Sequence, residues 1–174
     1  NTNTFTGAIW VEKGTVQLAN HTNAFGASGL VNVGTNATLD LQYGAASVRP
    51  ATLNLYGTGT NAAWGAMRKS TASATTWRGI VSNWADARIV VTAGGITFST
   101  NIVINANTLY ITNAVTVQMT GGEISGSKTT GDGAIHKTGS STLTIRPGSG
   151  LTGSILLHQG ELRQDSGSPA VAMP

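Results

Sequence analysis

Seven carboxylates are the side chains of this 174-residue sequence that could carry acid–base chemistry. An enzyme that cleaves polysaccharides needs two acids on one face, one as general acid and the other as base or nucleophile. The seven are Glu12, Asp40, Asp86, Glu123, Asp132, Glu161 and Asp165. Distant positions can align in a repetitive fold, so a polysaccharide-degrading enzyme stays an alternative. The sparse spacing favours solvated acids on outward faces, and we predict that the protein is not an enzyme.

Metal and nucleic-acid chemistry are not indicated either. The three histidines, His21, His136 and His158, follow no metal-ligand spacing, and the sequence has no cysteine. We therefore predict no metal, no cofactor and surface positions for the histidines. The net charge is +3 with scattered lysines and arginines, so nucleic acid is not an expected partner. No apolar run approaches the length that a membrane-spanning helix requires, so the sequence predicts no transmembrane helix.

Four tryptophans are the residues best suited to contact a ligand or another subunit. They are Trp10, Trp64, Trp77 and Trp84. Trp10 lies between Ile9 and Val11, so it points outward if those two point inward. The other three fall in the least regular part of the sequence, 57–87, where alanine, serine and threonine dominate. We expect them to pad a loop on the flank of the fold. A surface glycan site or a subunit contact is the alternative, because an exposed tryptophan can stack on sugars.

The elements that must position these residues are short β-strands. Most candidate strands, such as 38–41 and 101–104, alternate apolar and polar residues, which directs one face inward. Between 96 and 124 the apolar pairs recur every six or seven residues, separated by corners rich in Asn, Gly and Thr. Asn and Gly tolerate positive φ at such corners. This spacing predicts a β-solenoid, in which each strand bends into the next and pairs in parallel with neighbouring coils.

The composition is typical of an extended extracellular β-structure. Charged residues make up 10% of the sequence, against about 25% in ordinary soluble domains. The polar surface must therefore come from threonine, serine, asparagine and the 23 glycines. Hydrophobic residues make up 40%, enough for a core. We predict a secreted or cell-surface protein.

An internal repeat supports the solenoid. The segment 6–16 aligns with 152–162 at a constant offset of 146 positions, with identical Thr, Gly, Ile and second Gly. Self-similarity of this kind is the signature of repeat architectures. We predict one solenoid domain over 1–174. Its first coils lie in 1–56, an irregular flank segment in 57–87, and regular coils in 88–174.

Several of these segments resemble the autotransporter-associated (passenger-associated) β-strand repeat. GSSTLTI at 139–145, LTGSI at 151–155 and GEL at 160–162 are similar to its three successive parts. NTFTG at 3–7 and GTV at 14–16 resemble its second half again.

The middle of the chain resembles the long repeats of giant surface proteins from Verrucomicrobia and Planctomycetes. The similar segments are LNLYGTG at 53–59, GAMR at 65–68, TWRGI at 76–80 and ARI at 87–89. Together the resemblances imply a right-handed parallel β-helix exported to the cell surface or beyond, without catalytic residues.

The predicted rod has about eight coils of about 20 residues and a length of about 40 Å. Neither end of the sequence looks capped, and uncapped solenoid ends favour head-to-tail stacking into a homopolymer. We therefore expect a structural subunit of a surface filament or fibre. An adhesin passenger fragment that binds glycans or a host surface is the alternative function.

Overall fold

The computed structural model is built from short β-strands. It describes residues 4, 6–19, 25–26, 28–42, 47–48, 52–119, 124–125, 134–145 and 152–164, and none of these is helical. The strands are β1 (Ile9–Leu18), β2 (Leu30–Leu41), β3 (Ser47–Val48), β4 (Thr52–Leu55), β5 (Met67–Lys69), β6 (Thr75–Trp77), β7 (Val81–Asn83), β8 (Ala87–Val91), β9 (Ile96–Phe98), β10 (Ile102–Val103), β11 (Leu109–Asn113), β12 (Val117–Met119), β13 (Ile124–Ser125), β14 (Ile135–Thr138), β15 (Thr142–Ile145), β16 (Ile155–Leu157) and β17 (Glu161–Gln164).

These strands form three faces of a solenoid. The first face contains the first halves of β1 and β2, followed by β4, β7, β10 and β13. The second face contains the second halves of β1 and β2, followed by β5, β8, β11, β14 and β16. The third face is the six-stranded sheet β17-β15-β12-β9-β6-β3. All pairings are parallel between successive coils, which confirms the predicted parallel β-solenoid.

The solenoid has about six turns rather than the predicted eight. Ile9 pairs with Val31 and Val31 with Leu53, so equivalent positions on these coils are 22 apart in the sequence. Leu53 pairs with Val81, so the next coil is longer still. The predicted count was wrong because it assumed shorter coils throughout. The right-handedness of the coil stays a prediction.

The irregular segment is shorter than the predicted range 57–87. That range contains β5, β6 and β7, each of which pairs with both neighbouring coils. Residues 56–66 contain no strand and lengthen their coil. Strands such as Thr75-Thr76-Trp77 were missed because they are very short and none of their residues is aliphatic.

Alternating side chains fill the interior. Along β11 the residues Leu109, Ile111 and Asn113 are buried, whereas the intervening Tyr110 and Thr112 are partly exposed. Equivalent residues of successive coils lie in columns because the pairing is in register. One such column on the second face contains Val16, Leu39, Met67, Ile89, Ile111, Lys137 and Leu157.

Corners between faces use residues that accept positive φ. Asn105 adopts a φ of 52°, and its amide nitrogen donates to the Asn83 carbonyl at 2.8 Å. Gly139 adopts a φ of 90°, and a Cβ there would lie 2.3 Å from the Asn113 carbonyl oxygen. The corner role expected of Asn and Gly is therefore confirmed.

The described part of the chain holds no helix long and apolar enough to cross a membrane.

Replacing a core residue with an acid should unfold the coils around it. Ile104 is 0% exposed, so Ile104→Asp buries a charge without a partner and should lower the free energy of unfolding by more than about 4 kcal/mol. The control is Ile80→Asp, because Ile80 is 42% exposed. Urea denaturation followed by circular dichroism measures both. If the two variants were equally stable, the assignment of Ile104 to the interior would be wrong.

Candidate functional site

The first face carries an outward column of one tryptophan and two asparagines. Ile9 and Val11 point inward, which leaves Trp10 outward and 60% exposed, as its position between them predicted. Trp10 is in register with Asn32 on β2, and Asn32 with Asn54 on β4. Pairing in register therefore brings residues 22 positions apart in the sequence side by side.

A chain of side-chain hydrogen bonds connects this column to a second exposed tryptophan. The Trp84 indole nitrogen donates to Asn54 Oδ1 at 3.1 Å, and Asn54 Nδ2 donates to Asn32 Oδ1 at 2.9 Å. Asn32 is buried, and its Nδ2 has no hydrogen-bond partner within the described part of the chain. The two amides fix the orientation of the Trp84 ring, which is 57% exposed.

Tyr56 completes a group of three aromatic side chains. Its ring stacks on that of Trp10, with centroids 6.0 Å apart and planes at 25°. Leu55 pairs with Asn83, so Tyr56 and Trp84 follow those strands at equivalent positions on adjacent coils. We call Trp10, Tyr56 and Trp84 the aromatic surface. Tyr56 was missed in the sequence, where nothing distinguishes it from other residues that end a short strand.

The other two tryptophans do not join the aromatic surface. Trp64 is half-buried in 56–66, and the guanidinium carbon of Arg68 lies 4.4 Å from its ring centroid. Trp77 is 0% exposed, in register with Phe98 and in edge contact with Phe25. The expectation that Trp77 pads a surface loop or contacts a ligand is therefore wrong. It is an inward residue of β6, in the core.

The second face carries an outward column of Arg88, Tyr110 and His136. The guanidinium carbon of Arg88 lies 5.5 Å from the Tyr110 ring centroid. The rings of Tyr110 and His136 pack edge to face, with centroids 5.1 Å apart and planes at 71°. His158 follows β16 and approaches His136, with Nε2 of His158 3.4 Å from Nδ1 of His136. His158 is exposed as predicted, but His136 is only 9% exposed. His21 lies outside the described residues.

Three of the described carboxylates accept hydrogen bonds from nearby groups. Asp40 is buried and accepts from Ser70 Oγ and Gln42 Nε2, both at 3.1 Å. Asp86 accepts from the Thr108 amide at 2.7 Å, and Glu161 from the Thr142 hydroxyl at 2.7 Å. Glu12 is exposed. The remaining three acids, Glu123, Asp132 and Asp165, lie outside the described residues. Within the described ranges no group of three or more His, Cys, Asp or Glu could hold a metal ion.

Two lysines are buried near the corner between the second and third faces. Lys137 Nζ donates to the carbonyls of Thr138 (3.0 Å), Gly139 (2.7 Å) and Gln159 (3.1 Å). Lys69 Nζ donates to the carbonyl and the hydroxyl of Thr71. Desolvation lowers the pKa of both ammonium groups, although the nearby Asp40 carboxylate partly opposes this for Lys69. The three carbonyls joined by Lys137 come from two successive coils, so this side chain holds the corner together.

A surface depression lies beside this corner. Its volume is about 280 Å³, and its lining includes Thr92, Thr112, Asn113 and Gln159. None of its lining residues is acidic, basic or a histidine. The depression therefore carries no acid–base chemistry of its own.

The ends of the second face expose residues that are buried elsewhere. In the column that begins at Val16 and ends at Leu157, the five intermediate residues are 0% exposed. Val16 is 38% exposed and Leu157 is 43% exposed. The reason is that Val16 lies on β1 and Leu157 on β16, which are the outermost described strands at the two ends of the second face. The neighbouring Leu156 is also 41% exposed.

No family model matches this chain, and neither a curated protein nor a solved structure matches it. The similarity to autotransporter-associated repeats therefore stays a prediction from the motifs.

Burial of Lys137 should make stability depend on pH. Because its pKa is lowered in the folded state, the folded chain binds fewer protons than the unfolded chain between that pKa and 10.5. The free energy of unfolding should therefore rise with pH in this window. Lys137→Met removes this contribution, so the stability of wild type relative to the variant should be greater at pH 10 than at pH 7.

Denaturant titrations at both pH values measure this difference, and Lys69 contributes equally to both proteins. Lys13→Met, which removes an exposed lysine from β1 and leaves Lys137 in place, is the control and should retain the rise in stability that burial of Lys137 produces. The prediction would be contradicted if the difference in free energy of unfolding between wild type and Lys137→Met were the same at both pH values.

Proposed function

We propose that this β-solenoid is a secreted structural module that stacks head to tail with further copies into a surface filament or fibre. The observation that carries the proposal is the exposure of Val16 and Leu157 at opposite ends of one otherwise buried column. Apolar side chains at the open end of a stack are buried when another coil is added. A second copy brings such a coil.

The backbone at the two ends supports the same proposal. Among the described strands, β1 pairs only with β2, β16 only with β14, and β17 only with β15. Within the described residues, one edge of each of these strands therefore has no strand partner, and such an edge is a template for a further strand. β17 lies on the third face and β1 begins on the first, so a second copy would continue the order of the faces. A heterologous contact of this kind extends into a filament.

Composition and sequence motifs support a location outside the cell. The low content of charged residues and the surface of threonine, serine and asparagine are typical of exported β-structures. The resemblance to autotransporter-associated repeats and to giant surface proteins implies the same location. The proposed role requires no catalytic residues.

A second candidate function is glycan binding by the aromatic surface, as in an adhesin. Pyranose rings expose apolar C–H groups, which stack on tryptophan and tyrosine rings, and hydroxyls that bond to amides. Trp10 and Trp84 are both more than half exposed, and the Trp84 ring is held by Asn54. They lie three coils apart along the rod, or about 14 Å at about 4.8 Å per coil. A linear glycan that spans this distance contacts both tryptophans with two of its sugar rings, which are not adjacent in the glycan.

Stacking predicts assembly that depends on the two column ends. Wild-type protein should form filaments visible by electron microscopy, and its mass by light scattering should rise with concentration. Val16→Glu and Leu157→Glu should each suppress assembly, because a charge would be buried at the junction. Ile80→Glu, at an apolar site of similar exposure away from the ends, should assemble normally. A wild-type chain that stays monomeric at high concentration would overturn the proposal.

Glycan binding predicts loss of affinity when the aromatic surface is truncated. The probe is a soluble linear β-glucan, titrated while tryptophan fluorescence is recorded. Trp10→Ala and Trp84→Ala should each weaken binding by about tenfold, equivalent to about 1.4 kcal/mol. Trp64→Ala is the matched control, since Arg68 covers that ring. Absence of binding by wild type, or an equal loss in the control, would exclude this site for β-glucans.

A further inference from the structure

His136 and His158 form a pair that is fixed from several sides. His136 lies on β14, is only 9% exposed and has the Tyr110 ring packed against it. The amide of His158 donates to the Lys137 carbonyl at 2.9 Å, which holds the backbone of His158 beside β14. His158 itself is exposed, so an ion from solvent can reach the pair. The two imidazoles are therefore positioned by the fold before any ligand binds.

The distance between the two ring nitrogens is compatible with a shared metal ion. Nδ1 of His136 and Nε2 of His158 are 3.4 Å apart. At this distance one imidazole N–H points at the lone pair of the other ring, in a long hydrogen bond whose direction depends on the tautomers. A metal ion can take the place of the proton between the two nitrogens. Two nitrogens that bind one tetrahedral ion at about 2.05 Å are separated by about 3.3 Å. The pair therefore has the spacing of two ligands on a shared metal ion.

We propose that His136 and His158 bind a divalent transition-metal ion of the Zn²⁺ or Cu²⁺ class on the second face of the solenoid. Neutral imidazole nitrogens are preferred ligands of these ions. Among the described residues the two histidines belong to no group of three or more His, Cys, Asp or Glu ligands, so the site is proposed on this pair alone. This inference is independent of the stacking and glycan-binding functions proposed above.

The expected consequence is a clip between two coils. β16 is the last described strand of the second face, and it pairs only with β14 among the described strands. An ion held by His136 and His158 would join these two coils through their side chains in addition to the backbone ladder. Binding to the folded state alone also stabilises that state.

Zn²⁺ titration of the tag-free chain by isothermal calorimetry tests the proposal. Wild type should bind one ion per chain. His158→Gln, at an exposed position that should not disturb folding, should weaken binding about tenfold or more, and His136→Asn should do the same. His21→Gln is the matched control for nonspecific binding by a single imidazole and should bind as wild type does.

Electron paramagnetic resonance of the Cu²⁺ form identifies the ligands. Its nitrogen hyperfine pattern should change from two imidazoles in wild type to one in His158→Gln. Zn²⁺ should also slow hydrogen exchange of the β16 amides in wild type and leave it unchanged in His158→Gln. Absence of Zn²⁺ binding by wild type, or unchanged affinity in His158→Gln, would overturn the proposal.

Discussion

Parallel pairing of successive coils in register is the constraint on which the rest of this structure depends. An offset of 22 positions between the first coils places each side chain directly above its equivalent in the previous coil. Inward columns then become continuous apolar stacks, and outward columns become rows of surface groups. The insertion in 56–66 is tolerated because it lies between strands and leaves the register of both flanking pairs intact. The backbone ladder, more than any single side chain, therefore determines which residues meet.

The same constraint explains how polar residues are accommodated inside. Lys137 occupies an inward position between Ile111 and Leu157, where an apolar residue would be expected. Its stem fills the column while its ammonium group reaches three corner carbonyls. Asn113 acts similarly, with its amide nitrogen donating to the carbonyls of Val115 and Thr142. These buried donors satisfy backbone acceptors at corners, where the ladder is interrupted.

The outward columns give the surface its possible chemistry. On the first face, Trp10 meets Tyr56 and an asparagine pair orients Trp84. On the second face, an outward column places Tyr110 against His136, and His158 from the next coil lies beside His136. A solenoid can hold such groups without altering its core, because alternation separates the two sides of every strand. Stacking at the ends, glycan contact on one face and metal binding on another are therefore compatible in one molecule.

The sequence by itself determined the fold class, because strand alternation and corner residues are local patterns. It also identified Trp10 as an outward residue from its two neighbours alone. Only the tertiary structure decided the coil count, the core position of Trp77 and the meeting of His136 with His158. All three depend on the register between coils. The sequence alone does not determine this register, because the strands are short and the coils differ in length. The internal repeat shows the same limit. Gly14 and Gly160 occupy equivalent positions of the repeat and share a φ of 85°. Gly14 lies at the bend of β1 between the first and second faces, whereas Gly160 lies between β16 on the second face and β17 on the third. Local sequence thus encodes the bend, whereas pairing with the previous coil decides which corner it makes.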